Sequence, residues 1–267
     1  LTQPVIITSP SNRIIKEVRS LHDKKGRQSI KAMLLEGSRL VSDAAGSGAK
    51  IRYFVASDSF YNKSKSFFSC YPDAKVVCVP DSLFERIGET RTPQGVMAVA
   101  DIPHYDMHGF LIKAHRIIAL ENVQDPGNIG TIIRSADACG FDAVLLSRDC
   151  ADPYNSKTVR STMGSLFHIP VIVAEDFYGT LMELKAKNIL LAAAHTRDAL
   201  PCWQAELKGN VAVIIGNEGN GITEKILEIS DITIMIPMEG RAESLNASAA
   251  ASILMYECMR QKEFYGL

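Results

Sequence analysis

The spacing of apolar residues changes repeatedly along the first hundred positions. Ile14, Ile15, Val18 and Leu21 recur at helical spacing within residues 11–28. They form one face of an amphipathic helix that Ser11 is placed to cap. Continuous apolar runs then predict strands at Ala32–Glu36, Ile51–Ala56, Lys75–Val79 and Gly95–Ala100. Helical segments at Ser38–Ala45, Asp58–Phe68 and Ser82–Gly88 separate them, so residues 1–100 read as a small α/β domain. Residues 101–115, with Pro103, His104, His108 and Gly109, read as a linker.

From residue 116 the alternation restarts and continues to the end. Strands are predicted at Arg116–Leu120, Ala143–Leu146, Val171–Ala174, Ile189–Ala193, Val211–Ile215 and Ile232–Ile236. Helices are predicted at Ile129–Cys139, Ser156–Leu166, Phe177–Lys187, Thr223–Glu228 and from Asn246 to Gln261. Strands apolar on both faces suit a buried, mostly parallel sheet. Residues 116–267 therefore read as a second α/β domain, with ligand-binding loops beyond the carboxyl ends of its strands.

Composition adds class and partners to this outline. No apolar run reaches the ~20 residues of a membrane-spanning helix, and Leu1-Thr2-Gln3-Pro4 lacks the charged start of an export signal, so a cytoplasmic protein is expected. The six cysteines form no C-x-x-C pair and no histidine sits at metal-ligand spacing, which points to reduced, packed cysteines and no metal. Net charge is −1, but residues 1–103 hold 15 basic against 10 acidic side chains, hence +5, leaving −6 for residues 104–267. Arg13, Lys16, Arg19, Lys24, Lys25 and Arg27 crowd the polar side of the 11–28 helix, and Arg39 follows. Such a patch can track nucleic-acid phosphates; an ordinary solvated helix face explains it equally well.

Three strand-end loops carry candidate chemistry. The first, Glu121 to Gly130, has a Pro126-Gly127 turn, Asn128 placed to cap a helix, and Arg134 nearly two turns further on. In the second, Gly216-Asn217-Glu218-Gly219-Asn220-Gly221 follows a buried strand. Its glycines let backbone approach a ligand, but the spacing is not G-x-G-x-x-G. Glu218 would repel a pyrophosphate, so a cofactor without phosphates fits better. The third runs from Ile236 through Pro237, Met238, Ser244 and Leu245 to Asn246, ahead of an alanine-rich helix. Ser244 and Asn246 are also plain N-cap residues.

Together and in this order, D-P-G-N-I-G-T-I-I-R, I-I-G-N-E-G-N-G-I and I-P-M-E-G-R-A-E-S-L-N-A-S-A-A resemble the three signature motifs of the SpoU family, within the SPOUT superfamily of methyltransferases. The likeness covers about residues 116–262, and R-S-T-M-G-S-L-F-H-I-P-V from Arg160 to Val171 is similar to the segment between the first two motifs. Leu35–Val41 and Thr92–Val96 are similar to parts of the ribosomal-protein-like RNA-binding domain of many ribosomal RNA members. The resemblance implies S-adenosylmethionine as cofactor, a deep trefoil knot near the C-terminus, and a homodimer with active sites at the subunit interface. It implies a cofactor pocket held by backbone around Gly216, Ile236 and Leu245 and lined by Asn217, Gly221, Pro237 and Met238.

The implied reaction methylates a ribose 2′-hydroxyl of RNA, ribosomal rather than transfer RNA by the two-domain layout. It gives catalytic parts to Asn128, Arg134, Glu218, Ser244 and Asn246, with Glu218 holding Arg134 or a neighbouring donor and Asn128 placing Arg134 or the ribose. Arg134 is the implied base; a guanidinium with a pKa above ~12 suits a phosphate clamp better. Transfer RNA remains an alternative substrate. A catalytically inactive RNA-binding protein of the same fold is a further alternative, and a nucleotide-dependent oxidoreductase fits the glycine spacing poorly.

Overall fold

A computed structural model describes residues 3–72, 74–90, 92–106, 109, 114–196 and 198–265, with side chains to 262. The chain divides into two compact units, residues 1–104 with 154–167, and residues 105–153 with 168–267. Within the segment read as linker, residues 107, 108 and 110–113 lie outside the described residues.

The first unit runs β1 (Val5–Ile6), α1 (Arg13–Ser20), α2 (Lys24–Ile30), β2 (Ala32–Glu36), α3 (Ser38–Gly46), β3 (Ile51–Ser57), α4 (Asp58–Lys63), α5 (Lys65–Ser69), β4 (Val76–Val79), α6 (Asp81–Ile87) and β5 (Val96–Asp101). Its sheet has the order β1-β4-β3-β5-β2, with β5 antiparallel to both neighbours and the other pairs parallel. Ile15, Val18 and Leu21 join Leu34, Val55 and Val99 in the core, so the apolar face read from the sequence is the buried one.

The single helix expected over residues 11–28 is instead two. Asn12, not Ser11, caps α1, accepting from Ile14 N–H at 2.9 Å. The chain bends at Leu21–Asp23, and a Cβ on Gly26 would lie 1.9 Å from the Ser20 carbonyl oxygen, so the second helix packs against the first only through glycine. Arg27 holds this bend: it is 4% exposed and Nη1 donates to Leu21 O at 2.7 Å and His22 O at 2.8 Å. The helix expected over 58–68 also breaks, at Ser64 with φ −127° and ψ 40°. Phe54 is fully buried with its ring against Phe67, Phe68 and Tyr71, so it packs core and offers no face to a base.

The second unit contains β6 (Arg116–Leu120), α7 (Pro126–Ala138) and β7 (Ala143–Ser147). Helix α8 (Ser156–Ser161) and a 3₁₀ turn (Ser165–Phe167) fall with the first unit. The expected helix to Leu166 stops early because Met163 and Gly164 take φ of 50° and 96°. The second unit resumes with β8 (Val171–Ala174), α9 (Phe177–Ala186), β9 (Leu190–Ala194), β10 (Leu200–Pro201), β11 (Val211–Ile215), α10 (Glu224–Ile229), β12 (Ile232–Met235) and α11 (Ala247–Tyr265). All seven strands are parallel, in the order β10-β12-β9-β11-β6-β7-β8. β6, β7 and β11 are buried along their whole length, as two-sided coverage of a parallel sheet requires. Among the described residues no helix is long and apolar enough to cross a membrane.

Candidate active site

The central strands β6 and β11 end side by side, with Leu120 opposite Ile215. Beyond β6 the chain turns toward β7, whereas beyond β11 it leads to β12 on the other flank. Strand order diverges at this point, where open α/β sheets leave a crevice. Gly216 leaves β11 so close to the returning chain that a Cβ would lie 2.2 Å from the Gly221 carbonyl carbon. Asn217 and Gly221 exchange two backbone hydrogen bonds of 2.9 Å. The Asn217 side chain accepts from Gly219 and Asn220 N–H and donates to Asn122 O at 2.8 Å. Its amide is thus committed to shaping the loop.

The next residue ties this loop to the other two. Glu218 Oε1 accepts from Asn128 Nδ2 at 2.9 Å and Asp125 N–H at 3.1 Å, and Oε2 accepts from Gln124 N–H at 3.1 Å. Burial would raise the Glu218 pKa, but hydrogen bonds from Asn128, Gln124, its own backbone and Asp125 outweigh it and hold the carboxyl below its usual value. A carboxylate only accepts, so Asn128 must turn its NH₂ toward Glu218 and its carbonyl the other way. There Asn128 Oδ1 accepts from Asn246 Nδ2 at 3.0 Å. Asn246 Oδ1 in turn accepts from Ser248 N–H at 2.9 Å and Ser248 Oγ at 2.7 Å, capping α11. One chain of side chains therefore joins all three strand-end loops.

A cavity of about 1050 Å³ opens beyond the carboxyl ends of β9, β11 and β12. Ile215, Ile236, Leu245 and Leu254 give it apolar walls, and the Gly216–Gly221 backbone closes one side. None of its described lining residues is Lys or Arg, while Glu218 and Glu243 are acidic. A phosphate-bearing ligand would be repelled; a phosphate-free one carrying positive charge fits.

Residues 115–256 match the SpoU rRNA Methylase family, and residues 12–98 match the MRM3-like substrate binding domain. The chain belongs to the SpoU rRNA methylase family. It is 36% identical over 252 residues to the 23S rRNA (guanosine(2553)-2′-O)-methyltransferase RlmP of Bacillus subtilis, covering 94% of this chain and 97% of that one. The AdoMet-bound rRNA methyltransferase of Sinorhizobium meliloti superposes with a TM-score of 0.85 at 30% identity, covering 96% and 97% of the two chains. The SpoU methyltransferase AviRb of Streptomyces viridochromogenes, solved with AdoMet, does so with a TM-score of 0.87 at 27% identity, covering 94% and 98%.

In this SpoU methylase, Gly216, Asn217, Gly221, Ile236, Pro237, Met238 and Leu245 all line the cavity, as do Glu218, Ser244 and Asn246. S-adenosylmethionine, a sulfonium without phosphates, fits the acidic and apolar lining and the tight Gly216 backbone. Asn128 is 8% exposed and does not cap α7. Asp125 does, accepting from Asn128 N–H at 2.9 Å, with Pro126 in the first turn where its missing N–H is harmless. Of the two partners expected for Glu218, Arg134 or a neighbouring donor, the structure gives the neighbouring donors, Asn128 and the Gln124 and Asp125 N–H groups. Six residues along a helix leave Arg134 about 120° away from Asn128, and the exposed Arg134 side chain makes no hydrogen bond or ion pair among the described residues.

In the first unit, Arg13, Lys16, Lys24, Lys25 and Arg39 are exposed and Arg19 is half-buried. Arg27 leaves the set of expected RNA contacts, since its guanidinium is committed to the α1–α2 bend. Sequence reasoning missed Glu121, Asn122, Gln124 and Asp125 as the residues that grip the glycine loop and cap α7. Asp125 was signalled, as Asp before Pro is a common helix start. Glu121 was not, because its partner Thr223 lies 102 positions away.

Proposed function

We propose that this protein transfers a methyl group from S-adenosylmethionine to a ribose 2′-hydroxyl of ribosomal RNA. The observation that carries the reading is the cavity beyond β9, β11 and β12, with no Lys or Arg among its described lining residues and bordered by the Glu218–Asn128–Asn246 chain. Similarity over nearly the whole chain to a 23S rRNA 2′-O-methyltransferase supports the substrate class. When bound, the cofactor supplies a methyl already activated on a sulfonium.

What remains for the chain is to place the acceptor oxygen and assist loss of its proton. Arg134, exposed and uncommitted, clamps an RNA phosphate and polarises the hydroxyl. Asn128 and Glu218 hold the loop geometry on which that placement depends, while Ser244 and Asn246 shape the meeting point of cofactor and ribose. Arg13, Lys16, Arg19, Lys24, Lys25 and Arg39 contribute phosphate contacts from the first unit.

The loops 215–222 and 236–246 are read as the crossing strands of a trefoil knot. The working unit is read as a cytoplasmic homodimer. Ile253 and Tyr256, 42% and 58% exposed and three residues apart on α11, support an apolar face that a second copy covers.

The test is transfer from labelled S-adenosylmethionine to ribosomal and transfer RNA that lack the modification. Labelled dinucleotides that resist nuclease are expected from ribosomal RNA. Label confined to transfer RNA would overturn the substrate class, and no binding of S-adenosylhomocysteine would overturn the enzyme.

A further inference from the structure

Glu121 follows β6 and is 7% exposed, so its carboxylate is withdrawn from water beside the cofactor loop. Oε2 accepts from Thr223 N–H at 2.9 Å, and Oε1 accepts from Thr223 Oγ1 at 2.7 Å. Thr223 is the N-cap of α10, where a threonine hydroxyl ordinarily accepts from the helix's own N–H. That cap bond is absent here. The hydroxyl donates to Glu121 instead, so the pair is made at the expense of both a local cap and the solvation of a carboxylate.

Its geometry explains what the pair is for. The neighbouring residue Asn122 accepts from Asn217 Nδ2 at 2.8 Å. Consecutive residues at the end of β6 therefore hold both ends of the loop from Asn217 to Thr223. Between those grips lie Gly219, Asn220 and Gly221, whose backbone lines the cavity, and Ile222, which is buried. The Asn217–Gly221 bonds and Glu218 hold the near part of this loop, and the Glu121 grip adds a hold on its far end at Thr223.

We infer that Glu121 is a positioning residue for the cofactor cavity: its two-point grip on Thr223 holds the Gly219–Gly221 backbone in ligand-ready form. This rests on the cavity's proposed use for S-adenosylmethionine. Loss of the grip raises the ordering cost met at binding and leaves the transfer step of bound substrates unchanged. The carboxylate itself is not required. A glutamine in its place can accept from Thr223 N–H through its carbonyl and donate to the threonine hydroxyl through its amide.

The experiment uses the full chain and the variants Glu121→Ala, Glu121→Gln, Thr223→Val and Thr223→Ser. S-adenosylhomocysteine binding is measured by calorimetry, KM and kcat by methyl transfer, and amide exchange over residues 217–223 without ligand. Glu121→Ala and Thr223→Val are expected to weaken binding about tenfold, to raise the cofactor KM with kcat held, and to speed exchange at these amides alone. Glu121→Gln and Thr223→Ser are expected to stay near wild type. Unchanged binding in Glu121→Ala overturns the inference, as does equal loss in the alanine and glutamine variants. Faster exchange spread evenly over the whole protein overturns it too, since that marks a general structural role. Failure of the wild type to bind S-adenosylhomocysteine would sink the proposed function instead, and the exchange at residues 217–223 would still decide whether Glu121 grips the loop.

Discussion

Asn128 shows how much one side chain can settle. Its amide donates to Glu218 and accepts from Asn246, so both of its polar atoms are engaged in a site that leaves it 8% exposed. Replacing it by aspartate sets one carboxylate against another. Asn128→Asp is expected to cost about 2 kcal/mol at neutral pH and to recover in part as the pH falls and one of the pair takes a proton. Denaturant titrations at two pH values check this, and equal stabilities at both would contradict it. Glu218 has its own pH signature. Its folded pKa is depressed, so the stability it contributes is present above the unfolded glutamate value of about 4.3 and is lost as pH falls through the lower folded value. Wild-type stability should therefore fall off on the acid side, and Glu218→Gln should flatten that limb while lowering the neutral plateau. A plateau unchanged in the glutamine variant would show that the three hydrogen bonds matter little. The sequence pointed to both residues through their loops, but left Glu218 between Arg134 and a neighbouring donor, because helical spacing alone does not tell which partner a side chain meets.

At the scale of the element, α1 and α2 were legible as apolar spacing and illegible as a bend. Ile15, Val18 and Leu21 announce the buried face, whereas the break depends on Gly26 pressing against Ser20 and on Arg27 reaching back to two carbonyls. Arg27 and its neighbours therefore separate in their consequences. Arg27→Met is expected to cost about 2 kcal/mol in a melt. Lys24→Ala with Lys25→Ala is expected to leave the melt unchanged and to weaken RNA binding, with a shallower dependence of affinity on salt. A melt lowered equally by both changes would mean that the exposed lysines also support the fold. The site-bearing elements follow the same division. Val211–Ile215 and Arg116–Leu120 are strands by apolar run alone, but the start of α7 turned on the Asp125–Pro126 pair rather than on Asn128.

Across the whole molecule, the parallel sheet of the second unit brings residues near positions 121–128, 216–223 and 236–246 to one edge, although about 120 positions separate the first from the last. α11, which starts at that edge, packs against α7, with Ser252 and Ser135 hydroxyls 2.7 Å apart. It still leaves Ile253 and Tyr256 uncovered. Tyr256→Glu sets a charge on that face at a residue outside the cavity lining, and on the proposed homodimer it is expected to shift sedimentation from dimer to monomer. A dimer that survives this change would place the contact between copies elsewhere.

By itself the sequence determined the class of both units, nearly every strand, the three loops and the family to which they belong. These are carried by local spacing and by contiguous motifs, which need no partner to be read. Tertiary structure alone decided which side chains meet: Glu218 with Asn128 rather than Arg134, Asn128 with Asn246, Glu121 with Thr223, and Arg27 with the backbone of its own bend. Three of those four pairings span 90 positions or more, and hydrogen bonds of that reach form only after strand order has brought distant loops to one edge.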